Sequence, residues 1–333
     1  MTERVSVDAI LVQWGDRLFY PRSRIVKSAP LPRLDTGIRR QAASIRARIV
    51  ATVVRRAPQV MVKVTGGGRG MAAIAAHFRY ISKNGRLEIE DDRGATHEGR
   101  EAVADLLDQW RYGGSQIDDV SHRREAFNVM LSMPNGTPAE MVRLAAREFA
   151  RAELGGHRWV MVLHEHQANP HVHLSVRAES VDGDRLNPRK ADLHRWRETF
   201  AEKLRDLGID AEATRQASRG ETRLHEGLWR IKAREAGRLR DDGNTERSGD
   251  RHKVSRNGAM EAWLRLLQAL ESSDAVADRQ LATSIRGFAM ASPYVRQAIK
   301  ARKERGVTIE RPDREQMPRP QVTKDRSDPG IVR

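Results

Sequence analysis

The stretch His171-Val172-His173-Leu174-Ser175-Val176 alternates between two kinds of side chain, and this alternation specifies a strand. In an extended chain, residues two apart point to the same face. His171 and His173 then share one face, while Val172, Leu174 and Val176 share the other. A fold that buries the aliphatics must present the two imidazoles together on the opposite side. The apolar run Trp159 to Leu163 reads as a second strand, and Glu165 to Pro170 is short enough to turn a hairpin between the two. Such a hairpin brings His164 alongside, and four of the eleven histidines fall within residues 164–173. Three imidazoles that leave coordination positions open suit a divalent metal at which chemistry occurs, rather than a sealed structural ion. The competing reading is a histidine-rich surface hairpin with no metal.

Charge narrows the class of partner. The 333 residues include 60 Lys and Arg against 45 Asp and Glu, a net charge of +15. That excess favours polyanions, nucleic acid above all, although a merely soluble basic protein has the same signature. The absence of cysteine excludes disulfides, thiolate metal sites and thiol nucleophiles. No apolar run is long enough to span a membrane. The first residues, MTERVSVDAILVQWGDR, carry charge through their apolar part, unlike a signal peptide. The expected location is the cytoplasm.

Four regions are expected. Residues 1–56 form a basic extension with 12 basic and 4 acidic residues, suited to non-specific DNA contacts or a solvated helix face. Residues 57–222 form an α+β domain: strands over 59–65, 127–133, 159–163 and 171–176, helices over 71–81, 98–110, 138–154 and 190–207, and a small, largely antiparallel sheet with flanking helices. Residues 223–305 form a helical C-terminal region, with helices over 224–238 and 257–302. Residues 306–333 form a disordered basic tail, with little to bury.

Metal on a DNA-binding scaffold points to phosphodiester chemistry and raises the question of a nucleophile. Of the four tyrosines, Tyr20, Tyr80, Tyr112 and Tyr294, Tyr80 ends the helix that follows a strand and the glycine-rich turn Gly66–Gly70. Arg69, Arg79, Lys83 and Arg86 surround it in sequence and suit a DNA backbone. His77 lies one helical turn earlier on the same face. A phenol titrates near ~10, so attack at neutral pH needs a base or electrostatic help. On these residues alone, a half-buried core tyrosine competes with the catalytic reading. Trp110 and Trp159 are candidates for stacking on unpaired bases, with the protein core as the alternative. The glycine turn has neither the Gly-Lys-Ser/Thr nor the G-x-G-x-x-G spacing of a phosphate cradle.

Three segments together resemble the plasmid relaxases, or mobilisation nucleases, of the HUH endonuclease superfamily, and most closely the MobP class related to T-DNA border nickases. Phe78-Arg79-Tyr80-Ile81-Ser82-Lys83-Asn84-Gly85-Arg86 is similar to the first family motif, whose tyrosine is the nucleophile. Ser121 to Gly136 is similar to the second, whose serine, here Ser121, helps seat the DNA. His164 to His173 is similar to the third, whose histidines hold the metal and fall on His164, His171 and His173. The family's acidic position is His166 here, with Glu165 displaced by one, so Glu165, His166 and His77 are the candidates for an orienting group or base. The resemblance implies an HUH relaxase fold over roughly 58–222. It implies strand-specific nicking and rejoining of single-stranded or locally melted DNA at an origin of transfer, through a 5′-phosphotyrosyl intermediate. The implied cofactor is a divalent metal, Mg or Mn in the cell, with Zn, Ni or Co also fitting imidazole. Accessory relaxosome proteins and a type IV coupling protein are the implied partners, with export of the protein alongside the transferred strand. Two other readings remain open: a rolling-circle initiator or single-strand transposase, which generally carries its tyrosine after the histidines, and a non-catalytic DNA-binding accessory protein with a structural metal.

Overall fold

A computed structural model of the chain describes residues 6–19, 36–221, 233–234, 236–238 and 250–304. Tyr20, the expected disordered tail and most of the helix expected over 224–238 lie outside the described residues. In chain order the elements are α1 (Val7–Phe19), α2 (Thr36–Ile49), β1 (Met61–Gly66), α3 (Met71–Ile81), β2 (Ile89–Asp91), β3 (Thr96–His97), α4 (Arg100–Tyr112), β4 (Ala126–Ser132), α5 (Ala139–Glu153), β5 (His157–His164), β6 (His171–Ser180), α6 (Lys190–Asp206), α7 (Asp250–Glu271), α8 (Val276–Ala291) and α9 (Pro293–Glu304). A π-helical turn, Val50–Arg55, extends α2.

The fold is α+β, as expected. One antiparallel sheet runs in the order β1-β4-β6-β5-β2-β3. One face carries Val129, Leu131, Trp159, Met161, Val172, Leu174 and Val176, and it packs against α5 and α6 through Phe149, Trp196 and Phe200. Each such aliphatic contributes about 1.5–3 kcal/mol by leaving water. A one-residue slip in β6 would expose all of its aliphatics at once. On the opposite face, α3 and α4 cover the β5 side, with Phe78, Ile81, Val103 and Trp110 packed on Val160 and Val162. Phe78 and Trp110 meet edge to face at 4.8 Å. The β1 side of this face is more open, and Met61 and Lys63 are exposed.

Both tryptophans considered as base-stacking platforms are core residues. Trp110 is 2% and Trp159 3% exposed, so neither offers a free ring to a base. The β2–β3 ribbon is an addition to the sequence reading. All three residues of β2 are buried, yet two are acidic, so no alternation reveals the strand. Glu90 is neutralised by Arg143 and Arg147 of α5. Asp91 accepts the backbone N–H groups of Arg93 and Ala95.

Among the described residues, the first two helices pack against the helices near the C-terminus. Leu11, Ile45, Ile49, Trp263, Leu266 and Ile285 form a second core shared by α1, α2, α7 and α8. Helix α1 approaches α2 at Gly15, where a Cβ would stand 2.5 Å from the Ile45 side chain. Arg46 of α2 ties Asp8 of α1 to Asp278 of α8. The bundle is stitched to the sheet domain by Arg48 to Glu198 and Glu212, by Ser218 Oγ donating to the Leu18 carbonyl at 2.9 Å, and by Trp263 Nε1 donating to the Ser218 carbonyl at 2.6 Å. Replacing Trp263 by Ala removes a buried ring and that last bond, and should cost about 3–5 kcal/mol. Urea unfolding followed by circular dichroism measures this. An unchanged midpoint would show that the bundle does not unfold cooperatively with the sheet domain.

Candidate active site

His164 and His171 face each other where β5 and β6 enter their hairpin. His173 lies two residues further on, opposite Val162 of β5 and Met130 of β4. The three rings pack edge to face, with centroids 4.6 Å apart for His164 and His173, 5.0 Å for His171 and His173, and 5.2 Å for His164 and His171. One nitrogen from each ring lies within 4.8 Å of the others. His164 Nε2 donates to the Ile81 carbonyl at 2.7 Å, and His171 Nδ1 donates to the Asn169 carbonyl at 3.0 Å. A carbonyl can only accept, so in the neutral rings these bonds fix the tautomers and leave His164 Nδ1 and His171 Nε2 as lone-pair donors. Burial lowers the His164 pKa. Burial, reinforced by the neighbouring imidazoles, pushes His173 down to about 3. A neutral imidazole is the form that binds a metal, so the three residues fit a divalent ion.

The His164 and His171 rings are each oriented by a backbone carbonyl. Glu165 is exposed in the hairpin loop and makes no hydrogen bond among the described residues. His166 is also exposed, with its ring 5.1 Å from that of His164. Arg177, further along β6, is buried and points elsewhere. It donates to the carbonyls of Trp110 and Gly113 and holds the end of α4 on the sheet.

Tyr80 sits in the last turn of α3, 69% exposed, so it is not a half-buried core residue. Its ring centroid is 6.3 Å from that of His173. The adjacent Ile81 carbonyl is the one that holds His164, so the tyrosine turn and the histidine strand are fastened directly together. Lys83, Asn84 and Gly85 then take left-handed conformations, with φ of 50°, 59° and 81°, unusual for the two that are not glycine. Ser82 Oγ accepts the Gly85 N–H and closes this turn. His77, one turn before Tyr80, lies 6.3 Å from the Tyr80 ring and 6.4 Å from the His173 ring. Its Nε2 is buried without a hydrogen-bond partner, and burial pushes its pKa down to about 4.

Arg79, Lys83 and Arg86 are exposed around this turn. Arg69 and Ser121 are not beside it. They stand at the other end of α3, where the Ser121 N–H donates to the Arg69 carbonyl, roughly 14 Å away at 1.5 Å per helical residue. The Ser121 hydroxyl donates to Glu125 at 2.7 Å. The carbonyl contacts of Ile81 and Asn169 were invisible in the sequence, because any residue type supplies a carbonyl.

His77 and His173 stay neutral in the fold down to about pH 4 and 3 respectively, whereas an unfolded histidine takes a proton near ~6.5. Below that pH the unfolded chain binds more protons, so stability is full above it and falls as the pH drops toward the folded values. The urea midpoint of metal-free protein should therefore fall between pH 7 and pH 5, and fall less in His77→Asn. A midpoint independent of pH would show that both rings protonate freely in the fold.

Residues 80–209 match the family model described as "Relaxase: MobA/VirD2-like, nuclease domain". No curated protein matches the chain. The matched segment runs from Tyr80 through the histidine hairpin and the whole of α6; over these residues the chain is similar to the nuclease domain of MobA/VirD2-like relaxases.

Proposed function

We propose that this chain, similar over residues 80–209 to a relaxase nuclease domain, nicks and rejoins one DNA strand at an origin of transfer, with Tyr80 as the nucleophile. The observation that carries this reading is an exposed tyrosine ring 6.3 Å from a histidine of a three-imidazole cluster. The Tyr80 oxygen attacks the scissile phosphorus, an O–P bond forms, and the bond to the 3′ oxygen breaks. The leaving 3′ oxygen takes up a proton and the phenol loses one. The DNA 5′ phosphate stays on Tyr80 as an ester, so the phosphodiester energy is kept and the reverse attack reseals the strand. His77, outside the three-histidine cluster and with an unpartnered buried nitrogen, is the candidate to accept the phenol proton.

His164, His171 and His173 would hold a divalent ion. When bound, it supplies charge that polarises the phosphate and stabilises its transition state. Mg or Mn fits the chemistry, and imidazole ligands also accept Zn, Ni or Co. Arg79, Lys83 and Arg86 would hold phosphates beside the cut, while Arg69 and Ser121 would hold the strand further along α3. The substrate must be single-stranded or locally melted to reach the tyrosine. Export of the attached strand calls for accessory relaxosome proteins and a type IV coupling protein, and places the nicking step in the cytoplasm.

Tyr80→Phe removes one hydroxyl, so DNA binding should survive while nicking of supercoiled plasmid and the detergent-stable protein–DNA adduct disappear. An adduct formed by Tyr80→Phe would transfer the role to another tyrosine. Replacing His171 or His173 by Ala should weaken manganese binding about tenfold or more, by analogy with metal-site variants, and His166→Ala should weaken it much less. Calorimetry on each variant decides this, and equal losses for His166 and His171 would mean the ligand set is wrong.

A further inference from the structure

A cavity of about 1130 Å³ lies where the helical bundle meets the open edge of the sheet. It exceeds the roughly 300–1,000 Å³ of a small-molecule site. Among the described lining residues the cations are Arg56, Lys63, Arg197, Arg215, Arg219 and Arg256, and the one carboxylate, Glu221, is paired with Arg219. Arg197 makes no hydrogen bond or ion pair among the described residues. Arg215 bonds the Arg17 carbonyl, but its Nε is buried without a partner. Burial lowers both pKa values, and the charge of Arg197 lowers Arg215 further, so the two guanidiniums repel each other across the cavity wall. Glu198 offsets Arg197 only in part, since it is itself paired with Arg48, and half-buried like charges are costly to hold together. An anion between them removes that cost.

The cavity adjoins the strand and loop that carry the candidate active site, with Ser132 and Asn169 in its lining. Ser132 is the register partner of His171, and the Asn169 carbonyl holds the His171 ring. Lys63 belongs to the same cross-sheet row as His173, through Met130. At the far side Phe288, a half-buried ring on α8, offers an apolar surface. Phosphate-binding guanidiniums combined with a ring suit a nucleic acid strand, and the enclosed volume accommodates a few nucleotides of a single strand but no double helix.

We propose that this cavity is a channel for the single-stranded DNA flanking the cut, with Arg56 and Arg197 holding its phosphates and Phe288 stacking on a base. The proposal rests on the relaxase reading and deepens it. Except for Arg197, every lining cation lies outside residues 80–209, so the bundle of α1, α2, α7 and α8 becomes part of the DNA-binding surface.

The test uses the full chain carrying Tyr80→Phe, so that binding is read without chemistry. Anisotropy of a fluorescein-labelled, mixed-sequence single-stranded oligonucleotide is measured across a salt series. The R56Q/R197Q pair should weaken binding about tenfold and reduce the slope of log K against log salt by about 1.4, at about 0.7 per single-strand phosphate. R56K/R197K should restore most of both. R39Q/R40Q, which removes two exposed arginines of α2, should change neither. Ultraviolet cross-linking of an iodouracil-substituted strand, read by peptide mass spectrometry, should label Phe288. Equal losses for the two neutralised pairs would reduce the effect to diffuse surface charge and overturn the proposal. So would an unchanged slope in folded R56Q/R197Q, no label on Phe288, or a duplex that displaces the strand with equal affinity. Adduct formation by the otherwise wild-type chain is scored separately. A missing adduct with a filled channel sinks the Tyr80 reading alone, and an adduct with an empty channel sinks the channel alone.

Discussion

The register of one hairpin fixes the chemistry of this molecule. His164 pairs with His171 across β5 and β6, and the parity of a strand makes that pairing stringent. Val172, Leu174 and Val176 lock β6 against α5 and α6, so the imidazoles have no option but the opposite face. The burial energy of the aliphatic side positions the polar side. Helix α3 then closes on the same face through Phe78 and Ile81, and the Ile81 carbonyl takes the His164 proton donor. One backbone group thus fastens the turn that carries Tyr80 to the strand that carries the histidines.

The second organising contact joins helices α1 and α2 to α7 and α8. Taken as sequence, residues 1–56 look like a basic arm and 223–305 like a helical appendix. In the structure their apolar faces complete one another around Trp263 and Ile45. The twenty-two residues of α7 are weakly patterned because they meet helices on more than one side, which blurs the apolar stripe. Bringing the bundle against β1 also collects arginines that no local stretch of sequence groups: Arg56, Arg197, Arg215 and Arg256 come from four separate regions of the chain.

What was legible in the sequence follows from the same physics. Strands with one buried face, such as β4 and β6, announce themselves by alternation, and α5 by its apolar periodicity. The histidine cluster was legible because its spacing is local. Tyr80 was legible as a residue but not as a surface one, since a helix ending in Phe78-Arg79-Tyr80-Ile81 gives no sign of which aromatic turns outward; the packing of Phe78 on Trp110 decides it. The β2–β3 ribbon was hidden because Glu90 and Asp91 are buried with their own partners. The separation of Ser121 from Tyr80 by the length of α3 was hidden because motif order says nothing about distance.

Charge around the site has its own logic. Three imidazoles, two of them oriented by carbonyls, bring no negative charge to the cluster, whereas an orienting carboxylate would bring one. In the proposed reaction the incoming group is itself an anion, and attack adds electron density to its oxygens. A neutral ligand set leaves the positive charge of a bound ion undiminished for that phosphate. The low pKa of His173 belongs to the same design, because a ring that stays neutral does not repel a cation. Glu165 is exposed in the loop and outside the hydrogen-bond network of the rings, where solvent and salt screen its influence on the cluster. In the proposed reaction the positive charge of a bound ion would act on the phosphodiester itself, and keeping water from the phosphorus would matter as much, since hydrolysis would release the strand that rejoining depends on.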